Sequence, residues 1–272
     1  MKKIGLVLSG GGVRGFAHIG ILYNLQWLNI PVNIISATSI GAVIAAAYSA
    51  GITIDKIKNA AEMLSIFKVI NPVIPYYGLS GFKKVREWFN KIGIPRDFKD
   101  LKIPLVVCVT NLSERKPEYF NNGDLWEVLC ASIAMPGLFY PVKFGNKIYV
   151  DGGITMNLPV SIIKGESDFV IAVDVNYSGR KYPDLENTYQ IIYESLTLMV
   201  SRNTVYERES ADFIVDVSFE GIGFLDFKKI NQVIISGYKD TYAKIKELKK
   251  ILEEKSYVQD RGLGPLFISP LS

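Results

Sequence analysis

The chain holds a single histidine, His18, among its 272 residues. That scarcity bears on catalysis, because histidine is the usual proton acceptor beside a serine or cysteine nucleophile. Cysteine is almost as rare, with only Cys108 and Cys130. Two cysteines make no disulfide framework for a chain of this length, and a reducing, cytoplasmic setting is the expectation. Cys108 lies in the apolar run Pro104–Thr110 and reads as a buried core thiol. No acidic residue occurs before Asp55, and the formal charge of +4 is spread without long blocks of one sign. A dedicated nucleic-acid surface is therefore not expected. The mild positive balance favours, if anything, peripheral contact with an anionic membrane.

Long hydrophobic runs are also missing. Lys2 and Lys3 imitate the start of a signal peptide, but the apolar run Ile4–Leu8 gives way at once to Ser9 and three glycines. Ile34–Ala50 carries no charge, yet it contains Ser36, Thr38, Ser39, Gly41 and Ser49. It also stops short of the roughly 20 residues that a membrane span needs. Neither a signal peptide nor a transmembrane helix is expected.

What is present is a globular balance, with 49% hydrophobic and 21% charged residues. Short β-branched runs alternate with stretches of helical periodicity. Strands are expected at Lys3–Leu8, Val32–Ser36, Leu105–Asn111, Glu118–Phe120, Lys147–Val150, Phe169–Val175 and Phe213–Val217. Helices are expected between them, including one long helix over Tyr189–Arg208 and another over Phe227–Lys255. That order predicts an α/β fold, a three-layer α/β/α sandwich around a mainly parallel sheet. One domain is expected over residues 1–259, with a motif-bearing core at about 3–175 and a helical part at about 187–255. Residues 260–272 form a tail of unassigned role.

The first motif is Gly10-Gly11-Gly12-Val13-Arg14-Gly15, between a strand and a helix. It matches G-x-G-x-x-G, but the acid expected about 20 residues later for a dinucleotide ribose is missing. A Walker A Gly-Lys-Ser/Thr is absent as well. The other use of such a loop is an oxyanion hole. Consecutive glycines let backbone amides converge at a helix N-terminus, and Arg14 adds a cation nearby.

The second motif is Ala37-Thr38-Ser39-Ile40-Gly41, again between strand and helix. It is similar to the G-x-S-x-G nucleophile elbow, with Ala37 replacing the first glycine. A helix N-cap serine suits the same position. A nucleophilic Ser39 needs a base, and His18 precedes Ser39, against the usual elbow order of serine first and histidine last. A packing or capping role suits His18 better. The stronger candidate is Asp151, which ends an apolar strand and precedes Gly152 and Gly153. An ordinary Asp-Gly turn is the plainer alternative. An ordinary carboxylate is a weak base for an alcohol, so partial burial and direct contact with the hydroxyl would both be needed.

Taken in order, the three pieces resemble the patatin-like phospholipase family: G-G-G-x-R-G, then G-x-S-x-G, then D-G-G/A. Ala131–Gly137, with Phe139 and Pro141-Val142, resembles the family's approach to the aspartate. Asn157–Val160 resembles its continuation, so the likeness covers roughly residues 3–175. The resemblance implies a Ser39–Asp151 dyad without histidine and an acyl-enzyme intermediate. It implies an oxyanion hole from the amides of Gly11, Gly12 and Val13, with Arg14 in support. It implies hydrolysis of fatty-acyl esters of lipids or phospholipids, with no metal and no cofactor. Gly10, Gly15, Gly41, Gly152 and Gly153 are the motif glycines. Two other functions stay open: a nucleotide-binding protein using the loop, and a non-catalytic lipid-binding protein. The aromatic, proline-broken stretch Phe67–Phe82 reads equally as an acyl-channel wall or lid and as core packing. Oligomeric state is not readable.

Overall fold

The computed structural model describes residues 2–66, 81–176, 188–217, 219 and 221–258. The proposed lid, apart from Gly81 and Phe82, and the tail from residue 260 lie outside these residues. In chain order the elements are β1 (Ile4–Leu8), a 3-10 turn (Gly12–Phe16), α1 (Ala17–Trp27), β2 (Ile34–Thr38) and α2 (Ser39–Ser49). There follow α3 (Ile54–Ile66), α4 (Lys83–Ile92), β3 (Leu105–Asn111), β4 (Lys116–Phe120) and α5 (Leu125–Ser132). The rest are β5 (Val142–Phe144), β6 (Lys147–Asp151), α6 (Ser161–Lys164), β7 (Phe169–Asp174), α7 (Thr188–Asn203), α8 (Val205–Ser210), β8 (Phe213–Asp216) and α9 (Ile230–Glu254).

The strands form one sheet in the order β5-β6-β3-β2-β1-β7-β8, with β4 also on β3. From β3 through β8 the pairs β3–β2, β2–β1, β1–β7 and β7–β8 are parallel. β4, β5 and β6 are antiparallel additions. The expected mainly parallel sheet is therefore present, with helices around it.

Alternation along β1 divides the core. Ile4, Leu6 and Leu8 face the large apolar cluster under α1, α2, α3, α4, α5 and α9. Val7 faces a smaller cluster with Leu158, Val160 and Ile163, the last on α6. The fold is thus thick on one face and thin on the other.

One detail of strand pairing places the site. β4 pairs along Val107–Asn111 of β3 and so occupies one edge throughout. β2 and β6 must share the other edge. β2 runs parallel to β3 and ends with Thr38 opposite Cys108. β6 runs antiparallel and ends with Asp151 opposite Val109. The C-terminal ends of two strands therefore meet head-on at adjacent positions of β3.

Three local expectations need correction. The helix expected between the first two strands begins only at Ala17, after the 3-10 turn Gly12–Phe16. The single helix expected over Tyr189–Arg208 breaks at Thr204, whose Oγ1 donates to the Ser201 carbonyl at 2.8 Å. A hydroxyl that takes a backbone carbonyl in this way competes with continued helix. The three-residue strand β5 alternates as Val142-Lys143-Phe144 but is too short to establish a strand period from sequence.

Candidate active site

Ser39 follows the last residue of β2 and opens α2. Its φ is +54°, a left-handed conformation that costs a non-glycine residue about 1–2 kcal/mol. The strain is held by packing around it. Gly41, in the first turn of α2, lies against β1: a Cβ there would come within 2.8 Å of the Leu8 carbonyl oxygen, and closer still to that of Ser9. The Ser39 amide donates to Ser132 Oγ at 2.8 Å, and Ser132 Oγ donates to the Cys108 carbonyl at 2.7 Å. The turn is thereby tied to β3 through α5. Ala37, in place of the first elbow glycine, is fully buried in the main core as an ordinary strand residue.

Asp151 arrives from the opposite direction. Ser39 Oγ donates to Asp151 Oδ2 at 2.6 Å, and the Gly153 amide donates to Oδ1 at 2.8 Å. Ser39 is 6% exposed and Asp151 2% exposed. Burial pushes the Asp151 carboxyl up to about 6, against the opposing pull of the Ser39 and Gly153 hydrogen bonds. The carboxylate is therefore a better base than an ordinary one, and is still largely ionised at neutral pH.

The glycine loop lies against this pair, since a Cβ on Gly10 would sit 2.9 Å from Ser39 Cβ. Asn157 and Asn176 brace it. The Gly10 amide donates to the Asn157 carbonyl at 3.3 Å, and the Gly10 carbonyl accepts from both side-chain amides. Gly12 has φ +56°, and a side chain there would run into Phe224. Two expected oxyanion donors are otherwise engaged. The Val13 amide donates to the Phe224 carbonyl at 3.0 Å. The Arg14 guanidinium is buried, donating from Nε to the Ile222 carbonyl at 2.9 Å and from Nη2 to Glu194 Oε1 at 3.0 Å. Arg14 thus ties the loop to α7. Among the described residues no acceptor holds the amides of Gly11 and Gly12.

His18 is fully buried, with Nε2 2.8 Å from the Ser9 carbonyl. That contact requires a proton on Nε2, and burial lowers the imidazole to about 4, so the ring is neutral. It holds the end of β1. Cys108 and Cys130 are free, buried thiols, both pushed up by burial.

Two cavities meet at Ser39 and Asp151. The larger, about 350 Å³, passes Ile40, Val43, Leu64, Val85, Phe89 and Leu138 and is overwhelmingly apolar. Gly12 lies on its wall. The smaller, about 70 Å³, is bounded by Gly11, Asn157 and Asn176 and by Thr197, Met199 and Asn203 of α7. Among the described residues no cluster of three or more His, Cys, Asp or Glu side chains is arranged to hold a metal ion.

The sequence profile of the family described as patatin-like phospholipase matches residues 6–163, which contain the glycine loop, the elbow and the aspartate. The chain belongs to the patatin-like phospholipase family. Among its relatives is Lysophospholipase nte1 of Aspergillus fumigatus, 32% identical over 72% of this chain and 13% of the fungal protein. An uncharacterised NTE family protein of Mycobacterium bovis is 30% identical over 79% of this chain and 60% of that protein. The patatin-like chain thus spans a small part of the fungal relatives and less than two thirds of the mycobacterial one. Its fold is shared with VipD from Legionella pneumophila at a TM-score of 0.61 and 16% identity, covering 90% of this chain and 67% of VipD.

Family motifs account for Ser39, Asp151 and the loop. They assign no role to Ser132 or to the Arg14–Glu194 pair, and they do not reach Asn176. Ser132 lies in Ala131–Gly137, so its position was marked even though its bond to the elbow was not. Nothing in the sequence marks Asn176 or Glu194.

Proposed function

We propose that this chain is a serine hydrolase of fatty-acyl esters, acting on lipids such as monoacyl phospholipids through Ser39 and Asp151. The observation that carries the reading is the 2.6 Å contact from Ser39 Oγ to Asp151 Oδ2 on the wall of an apolar cavity of about 350 Å³. Asp151 Oδ2 accepts the hydroxyl proton as Oγ attacks the ester carbonyl. The developing oxyanion is received by the amides of Gly11 and Gly12, one on each cavity, beside the positive end of the turn they open. Collapse expels the alcohol, which takes the proton back from Asp151, and leaves an acyl group on Ser39. Water then repeats the cycle with Asp151 as base.

The two cavities divide the substrate. The acyl chain fits the larger one along α2 and α4. The smaller one, about 70 Å³, receives only the first atoms of the leaving group beside the ester, where Asn157, Asn176 and Thr197 line it. Family membership supports the same substrate class, and the fungal relatives are named lysophospholipases. The nucleotide reading of the loop has little room: Phe224 covers Gly12, while Val175 and Asn176 cover Gly11. The retained Ser39–Asp151 contact favours an enzyme over a non-catalytic lipid binder.

The test is hydrolysis of p-nitrophenyl esters of graded chain length and of monoacyl phosphatidylcholine, with Ser39→Ala and Asp151→Asn in parallel. Turnover lost in both variants is the expected result. Turnover surviving in Ser39→Ala would sink the mechanism.

A further inference from the structure

Among the described residues, eight large hydrophobic side chains stand exposed, and six of them fall between Ile191 and Tyr206. They are Ile191, Ile192, Leu198 and Met199 on α7, and Val205 and Tyr206 on α8, each between 48% and 71% exposed. On α7 they form a stripe. At 100° per residue, Ile191, Ile192, Leu198 and Met199 fall within one third of the helix circumference, and Ser195 and Arg202 lie among them. The opposite side is anchored in the protein. Tyr193 stacks on Phe224 and donates to the Pro136 carbonyl, while Glu194 meets Arg14.

On α7 the charge has one sign: from Thr188 to Asn203 the only acid is Glu194, which is buried in its ion pair, and Arg202 is the only cation, whereas on α8 the exposed Glu209 follows Val205 and Tyr206 by one turn. An apolar helical face with a lone exposed cation suits the boundary of an anionic bilayer, not open water. The face also continues into the site: Met199, one of its most exposed residues, lines the smaller cavity against Ser39 and Asp151. No helix among the described residues is long and apolar enough to cross a membrane, so the contact is one of lying on the surface.

We infer that the outer face of α7 is a docking surface for an anionic phospholipid bilayer, seating the α7 side of the Ser39–Asp151 site directly on the membrane. The purpose of the surface rests on the proposed lipid hydrolysis; its existence does not. With α7 at the bilayer, a lipid leaves the membrane beside Met199 and reaches the dyad without crossing water.

The experiment uses the full chain carrying Ser39→Ala, so that vesicles stay intact. It is sedimented with vesicles of phosphatidylcholine alone and of phosphatidylcholine with phosphatidylglycerol. Ile192→Glu/Leu198→Glu and Arg202→Glu are compared on the same background. Binding to the anionic vesicles is expected, reduced about tenfold or more by the double substitution and also reduced by Arg202→Glu. With Ser39 present, the double variant should hydrolyse a soluble short-chain ester at the parent rate while losing activity on vesicles. No vesicle binding by the parent chain, or binding indifferent to the double substitution, overturns the inference. So does a parent dimer that the double variant dissociates, since the face would then be covered by a second copy. Absence of soluble-ester turnover in the parent counts against the hydrolase reading alone and leaves the vesicle result standing.

Discussion

Replacing Asp151 by asparagine should abolish hydrolysis and make the protein more stable. The Asp151 carboxyl sits near 6 in the fold against an ordinary 3.8. That difference corresponds to about 3 kcal/mol for keeping it ionised at neutral pH. The figure is already net of the hydrogen bonds from Ser39 and Gly153, which pull the other way. Asparagine resembles the neutral acid: its oxygen can accept from the Gly153 amide and its nitrogen can donate to Ser39 Oγ. The sign follows from the raised value. Below about pH 3.8 the carboxyl is protonated in both folded and unfolded chains, and the cost vanishes. Between about 3.8 and 6 the unfolded chain releases the proton first, and wild-type stability declines relative to the variant. Above about 6 the full difference is present. Thermal melts of the two proteins should therefore coincide near pH 3.5 and diverge to on the order of 6–10 °C at pH 7. An asparagine variant that melts lower at pH 7, or by an offset that ignores pH, would refute the argument that Asp151 is a buried charge held for chemistry.

Three further outcomes follow from the same geometry. For the wild type, kcat/KM on a soluble ester should fall about tenfold per pH unit below about 6, as the base takes up its proton; a profile flat down to pH 4.5 would remove Asp151 from that role. Ser39→Gly and Ser39→Ala should both be inactive, but the glycine variant should be the more stable by about 1 kcal/mol in denaturant melts, because only glycine adopts the +54° φ without strain. Gly41→Ala should cost about 1–3 kcal/mol and most of the activity, because its methyl group would press α2 away from the Leu8 and Ser9 carbonyls; an alanine variant with wild-type turnover would show the elbow to be looser than its packing implies.

Much of the site was legible before any tertiary information, because its chemistry is carried by short segments. A triple glycine after a strand, a serine between strand and helix, and an aspartate before two glycines each announce a local backbone state. The lone histidine, placed ahead of the serine, turned attention to the carboxylate. What escaped were partners distant in sequence. Val13 and Arg14 sit in the loop as expected, but Phe224, Ile222 and Glu194 claim their donors. Those residues lie in the poorly patterned C-terminal third, and no local rule connects them to residue 14. The break between α7 and α8 escaped for a similar reason, since Thr204 looks like any mid-helix threonine until its hydroxyl takes the Ser201 carbonyl.

By itself, then, the sequence determined most of the elements and named the candidate nucleophile and base, since apolar periodicity, turn residues and side-chain chemistry are local properties. Only the tertiary structure decided that Ser39 and Asp151 touch. Their contact depends on β4 taking one edge of β3, so that β2 and β6 must share the other and end face to face. It also decided how far the Asp151 carboxyl is pushed up, because burial is a property of the assembled core and not of the residue. And it decided that α7 turns Tyr193 and Glu194 inward and leaves its isoleucines outside, a choice set by Phe224 and Arg14 from other parts of the chain.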